Sequence, residues 1–146
     1  MAADLQRGFQ VRARALPAVE TATFDAYIER LIARTAGVVT MGGYNTFCEI
    51  LSFDRPALIV PRTQPRREQW IRAERARDLG LAAMIDPNRA ADTGIMVTAL
   101  RQLVQQSPPS QQVVPGLLDG LDNLHQLAQR IMARGGDVRP VLVGAR

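Results

Sequence analysis

The sequence contains no lysine, and all eighteen of its basic residues are arginine. That excludes a Walker-type phosphate loop, which needs a lysine on its phosphates, and amine chemistry through a Schiff base. Histidine occurs once, as His125, and serine only as Ser52, Ser107 and Ser110, so a Ser-His-Asp arrangement has little to draw on. The one cysteine, Cys48, rules out an intrachain disulfide and cannot alone supply a thiolate metal cage; a small buried hydrophobe is the expected role. No clustered His, Asp or Glu residues suggest metal ligands, so no metal site is expected. A run of about 18 uncharged apolar residues is also missing, and the opening MAADLQRGFQ carries charges where a signal peptide would be apolar. A cytoplasmic protein is expected.

What remains is 146 residues, 47% of them hydrophobic, with a net charge of +4. That length can bury one real core, so a single globular domain is expected. Arginine excess suits planar recognition of carboxylate or phosphate, and it is equally what GC-rich codon usage produces.

Along the chain, Leu5, Phe9, Val11 and Leu16 fall at loosely helical spacing over Ala3 to Leu16, closed by Pro17. Val19 to Phe24 alternates and reads as a short strand. Asp25 is placed to cap a helix through Arg34 that buries Tyr27, Ile28, Leu31 and Ile32. Gly37 to Thr40 reads as a buried strand running into Met41, Gly42 and Gly43, after which Asn45 or Thr46 caps a helix carrying Phe47, Ile50 and Leu51. A turn at Asp54 to Pro56 leads into the strand Ala57 to Val60. A charged helix from about Arg67 to Leu79 ends at Gly80, and Leu81 to Ile85 is a last strand. Asp86 and Pro87 open another helix. Residues 107–115 form an internal Ser/Pro/Gln linker, followed by a helix with Leu117, Leu118, Leu121, Leu124, Ala128, Ile131 and Met132 in a stripe, stopped by Gly135 and Gly136. Residues 137–146 read as a loosely held tail. Strands separated by helices are the pattern of parallel βαβ units, so the expected class is α/β with a Rossmann-like parallel sheet and flanking helices.

In such sheets, ligands bind beyond the C-terminal ends of the strands. Gly42 and Gly43 can take positive φ and let a ligand approach the backbone. The unpaired N–H groups of Asn45, Thr46 and Phe47 are then expected to face outward at a positive helix end, a geometry that binds phosphate. Glu49, one turn on, suits a carboxylate that accepts hydrogen bonds from ribose hydroxyls; a solvated surface residue is the alternative.

The segment Val38–Gly80, VVTMGGYNTFCEILSFDRPALIVPRTQPRREQWIRAERARDLG, resembles the donor-nucleotide half of the glycosyltransferase family 28 C-terminal domain, of the GT-B class. The matching pattern runs from GGYNT…E to P…EQ…RA…G, and the likeness extends from about Val19 to Ile85. The resemblance implies that the chain, residues 1–146, is a partial nucleotide-sugar (donor) binding domain. It implies that Gly42, Gly43, Asn45 and Thr46 hold the donor diphosphate, that Glu49 binds the ribose, and that Glu68 and Gln69 reach the donor sugar. Arg62 and Arg66 are further phosphate candidates, whereas Arg72, Arg75 and Arg77 are expected to dress an exposed helix face with Glu68 and Glu74.

The implied reaction is inverting transfer of a sugar from a UDP-sugar to an acceptor hydroxyl, with no cofactor beyond that substrate and no metal. The resemblance also implies an N-terminal acceptor domain or partner chain and two opening strands that this sequence lacks, with self-association left open. Either the strands at Val19 and Val38 close up and pair, or another chain fills the gap, and the chain alone is expected to have no turnover. Two rivals stand beside this reading. One is an arginine-rich nucleic-acid-binding module built on Arg62, Arg66, Arg67, Arg72, Arg75 and Arg77 around Trp70. The other keeps the fold as a noncatalytic subunit or an epimerase-like half.

Overall fold

The computed structural model describes residues 2–112, 114–116 and 120–133. A three-stranded parallel sheet lies at its centre, with strand order β1 (Val38–Thr40), β2 (Ala57–Ile59), β3 (Ala83–Met84). Val38 pairs with Ala57, Thr40 with Ile59, and Leu58 with Ala83. Between β1 and β2 runs helix α3 (Tyr44–Ser52), and between β2 and β3 runs α4 (Glu68–Asp78). Helices α1 (Ala2–Arg14) and α2 (Ile28–Ile32) precede the sheet; α5 (Thr93–Leu103) and α6 (Gly120–Ala133) follow it.

Strand β2 explains the layering. All three of its residues are buried, as expected for a strand covered on both faces. Ala57 and Ile59 point to one side, where Ile50 of α3 and Ala73 and Ala76 of α4 close over them; Leu58 points to the other, against Ile85 and Leu103 of α5. The period-2 alternation of a strand thus divides the apolar residues between two cores. The alanines of α4 let that helix sit close to the sheet.

Two helix ends share one solution. Helix α4 stops with Gly80 at φ +71, the Gly80 N–H donating to Arg77 O and the Leu81 N–H to Ala76 O, both at 2.9 Å. This is the 5→2 and 6→1 pair of a Schellman ending, as the glycine predicted. Helix α3 ends the same way, from Asp54 N–H to Leu51 O (3.1 Å) and from Arg55 N–H to Ile50 O (3.0 Å), with Asp54 rather than glycine in the left-handed region at φ +54. Its carboxylate accepts from the backbone N–H and the hydroxyl of Ser110, each at 2.7 Å. Within the stretch read as a linker, residues 107–112 are therefore docked, with a 3-10 turn at Pro109–Gln111 and Pro109 buried, and Val114 packs against the core.

Other expectations fail for identifiable reasons. Val19 to Phe24 is not a strand: among the described residues no neighbouring strand offers it a ladder, and Phe24 is 83% exposed. Direct pairing with the Val38 strand, one of the two alternatives, does not occur. Val38 N–H donates to Pro56 O and Thr40 O accepts from Val60 N–H, so the main-chain groups of Val39 face the opposite edge of β1, where no strand lies among the described residues. Helix α2 has only five residues and buries only Ile32; Asp25 serves a turn, accepting from the Tyr27 N–H at 2.7 Å. Asp86 caps the 3-10 turn Pro87–Arg89, and Asp92 caps the α5 helix that follows. Cys48 is half-buried, and the described residues of α6 are exposed, His125 among them, bonded to Gln129 at 2.8 Å. Leu117, Leu118, Gly135, Gly136 and the tail 137–146 lie outside the described residues.

Candidate functional site

The chain leaves β1 through Met41 and turns at Gly42, which is buried with φ +74. A Cβ there would lie 2.8 Å from Cγ2 of Ile59 on the central strand. Gly42 N–H donates to the Thr40 hydroxyl at 3.2 Å, so a strand residue satisfies the loop from behind. Gly43 is the N-cap of α3, at φ −55 and ψ 151, and no side chain caps that helix. The first helical bond runs from Phe47 N–H to Gly43 O at 2.9 Å. The open N–H groups are accordingly those of Tyr44, Asn45 and Thr46, one residue earlier than the sequence suggested, and neither Asn45 nor Thr46 acts as the cap. Nothing lies within 4 Å of where a Gly43 Cβ would be. The three amides are left without a side-chain cap at the positive end of the helix.

Beside this loop, over the C-terminal ends of β1 and β2, is a hollow of about 610 Å³ lined by Thr40, Met41, Val60, Pro61, Arg62 and Pro87. Its position beyond the strand ends is the one where open α/β sheets bind ligands. A second hollow, about 430 Å³, separates α3 from α4 and is lined by Phe47, Glu68, Ile71, Arg72 and Arg75 among others. A third, about 390 Å³, lies between β3 and α5.

The structure brings some candidate residues together and leaves others apart. Arg62 lines the strand-end hollow, and its N–H donates to Gln69 Oε1 at 3.1 Å, which ties the loop after β2 to the first turn of α4. Glu68 lines the interhelix hollow and lies 3.9 Å from Arg66, both side chains well exposed. Glu49 is half-buried and lines none of these three hollows. It does share a helix face with Asn45, four residues and one turn away, a spacing that puts the two Cβ atoms about 5–6 Å apart.

Arg72 departs most from its expected place. It does not dress an exposed face: its Nη1 donates to the carbonyl of Gly42 at 2.7 Å, and its guanidinium carbon lies 5.5 Å from the Tyr44 ring centroid. The i,i+4 spacing from Glu68 disguised it. The buried alanines at positions 73 and 76 are the signal that could have found it, since Arg72 flanks the helix face they mark. Arg77 is held by Asp78 at 2.8 Å and Glu74 at 3.8 Å, and the Asp78 hydrogen bond above all raises its pKa, so it stays cationic with its charge already answered.

No helix among the described residues is long and apolar enough to cross a membrane. No curated protein matches the chain. The family model described as glycosyltransferase family 28 C-terminal domain matches residues 3–115, a wider span than the glycine-loop motif alone. With the parallel sheet, the glycine turn and the uncapped helix all inside that span, the chain belongs to the glycosyltransferase family 28 C-terminal domain family.

Proposed function

We propose that this chain is the sugar-donor domain of an inverting glycosyltransferase that moves a sugar from a UDP-sugar to an acceptor hydroxyl. The observation that carries the reading is the turn at Gly42 and Gly43 delivering three uncapped amides at the start of α3. In this scheme the donor diphosphate sits on the N–H groups of Tyr44, Asn45 and Thr46. As the bond to the sugar breaks, charge grows on the departing diphosphate, and fixed amides stabilise it without reorganising. The helix end contributes about 0.3–1 kcal/mol and each hydrogen bond to a charged oxygen about 1.5–3. Arg62, at the rim of the strand-end hollow, supplies positive charge, with Arg66 near it in the same loop.

The nucleoside then runs down the face of α3 from Asn45, and the Glu49 carboxylate accepts from the ribose hydroxyls. Glu68 and Gln69 address the donor sugar, Gln69 keeping its amide NH₂ and its second lone pair while its oxygen holds the Arg62 N–H. No residue in this chain is assigned as the catalytic base. The acceptor side belongs to another domain or chain, so this polypeptide alone should show no turnover; robust sugar transfer by the purified chain would overturn that part. Titration calorimetry with UDP tests the donor site. Glu49→Ala should remove bonds worth about 3 kcal/mol, or about a hundredfold in affinity, and an unchanged dissociation constant would remove Glu49 from the site.

A further inference from the structure

We propose that Arg72 is the positioning residue of the donor site: by holding the Gly42 carbonyl it turns the Gly43 N–H outward as a fourth donor to the diphosphate. The inference rests on the donor reading above and adds a residue and an atom to it. A trans peptide is planar, with its C=O and N–H pointing in opposite directions. Arg72 Nη1 draws the Gly42 oxygen toward α4 at 2.7 Å. The N–H on the other side of that peptide, belonging to Gly43, therefore faces away from α4. No acceptor among the described residues takes that N–H, and no side chain caps the helix it precedes. The next three amides, those of Tyr44, Asn45 and Thr46, follow it round the first turn of α3.

The anchoring is specific to a guanidinium. Arg72 lies on α4, thirty residues from the carbonyl it holds, and the ring of Tyr44 flanks its planar group at 5.5 Å. Tyr44 is itself the first residue of α3, so the cation is clamped between the loop it orients and the helix that loop opens. A glycine pair can take many backbone conformations, and the part-buried contact from Arg72 selects one. Among the described residues no carboxylate lies within ion-pairing distance of Arg72, although Arg66 has one and Arg77 has two.

The test compares wild type, Arg72→Ala and Arg72→Lys by calorimetry with UDP and with uridine, and follows backbone amide resonances during titration with UDP and with inorganic pyrophosphate. We expect Arg72→Ala to weaken UDP about tenfold while uridine changes less than about twofold, with Arg72→Lys between wild type and alanine. The Gly43 amide should move on addition of UDP or pyrophosphate in wild type and stay still in Arg72→Ala. If Arg72→Ala does not fold, Arg72→Lys and Tyr44→Leu carry the comparison, each expected to lose UDP affinity selectively. Parallel losses for UDP and uridine, or no loss, would reduce Arg72 to a structural contact. If the amides of Asn45 and Thr46 respond while that of Gly43 does not, the donor reading survives and the Arg72 inference fails. A wild-type chain whose loop amides ignore both UDP and pyrophosphate would take down both.

Discussion

Gly42 and Gly43 adjoin in sequence, yet the structure gives them different reasons to be glycine, and alanine substitutions separate the two. At Gly42 the backbone is left-handed, at φ +74, and an added Cβ would approach Ile59 Cγ2 to 2.8 Å. The left-handed conformation costs a non-glycine residue about 1–2 kcal/mol. The clash falls on a side chain with no exposure, on a strand packed on both faces, so Ile59 cannot swing aside, and overpacking of that kind costs about 1–3 kcal/mol. Gly42→Ala should therefore destabilise by about 2–5 kcal/mol, a fall in Tm of roughly 6 to 15 °C for a chain of this size. Gly43 has φ −55, ψ 151 and open space at its Cβ position, so the entropy gained by Gly43→Ala offsets alanine's weakness as a cap and stability should stay within about 0.5 kcal/mol. The binding outcome should be reversed for this second variant: its methyl group stands where a phosphate would approach, so UDP affinity should fall in a protein that melts like wild type. Urea and thermal melts with parallel UDP titrations read both effects. Equal stability of the two variants would refute the conformational argument, and a Gly43→Ala protein that binds UDP normally would refute the close approach.

The ending of α3 permits a similar separation. Asp54→Gly should lose the two bonds to Ser110 but keep the left-handed residue comfortable, whereas Asp54→Ala should be about 1 kcal/mol less stable again, read from the gap between their urea midpoints. Arg55 donates to Ala33 O at 2.6 Å and to Thr35 O at 3.4 Å, tying the end of α2 to the turn before β2. Arg55→Met should cost about 1–3 kcal/mol and lower hydrogen-exchange protection in α2 before it does so in β2; uniform loss would mean that the tie is not local.

The strands and helices that pack on both sides of β2 were readable because their signals agree: the apolar runs at Val38 and Ala57, the glycine at 80 and the alanine spacing of α4 all describe one βαβα unit. Val19 to Phe24 misled because alternation describes half of a ladder, and the other half depends on a partner that no local pattern reports. In the sequence Asp54 shows only as a turn residue, since its bonds cross 56 positions to Ser110. At the site, the glycine loop was legible from composition, while the register of the open amides was not. Asn45 and Thr46 carry the capping side chains, but Thr40 closes the loop from the strand and Gly43 is the cap. Arg72 stayed hidden because an arginine four residues from a glutamate looks like a surface pair, and only tertiary placement of α4 beside the Gly42 loop reveals the carbonyl it serves.

Helix α3 is also the one the sequence could most easily have stabilised and did not. Glu29 sits in the first turn of α2, Glu68 in that of α4 and Asp122 in that of α6, and Asp92 caps α5 through bonds to Gly94 and Ile95. Helix α3 has neither an acidic first turn nor a side-chain cap. Gly43 already has the extended backbone a capping residue needs, so Gly43→Asp should meet little strain and place a carboxylate on the amides of α3. Because glycine is already a fair cap, this replacement should add a few tenths to about 1 kcal/mol, much of it from the dipole. The same carboxylate would occupy the seat proposed for the diphosphate and repel it. Gly43→Asp should therefore melt higher than wild type and lose UDP binding, while Gly43→Ala melts like wild type and loses less. A gain in stability with UDP affinity intact would mean that the open end of α3 is only an omission in the fold. Opposite movement of the two measurements would mean that stability is forgone at that turn to keep its amides free for a ligand's charge.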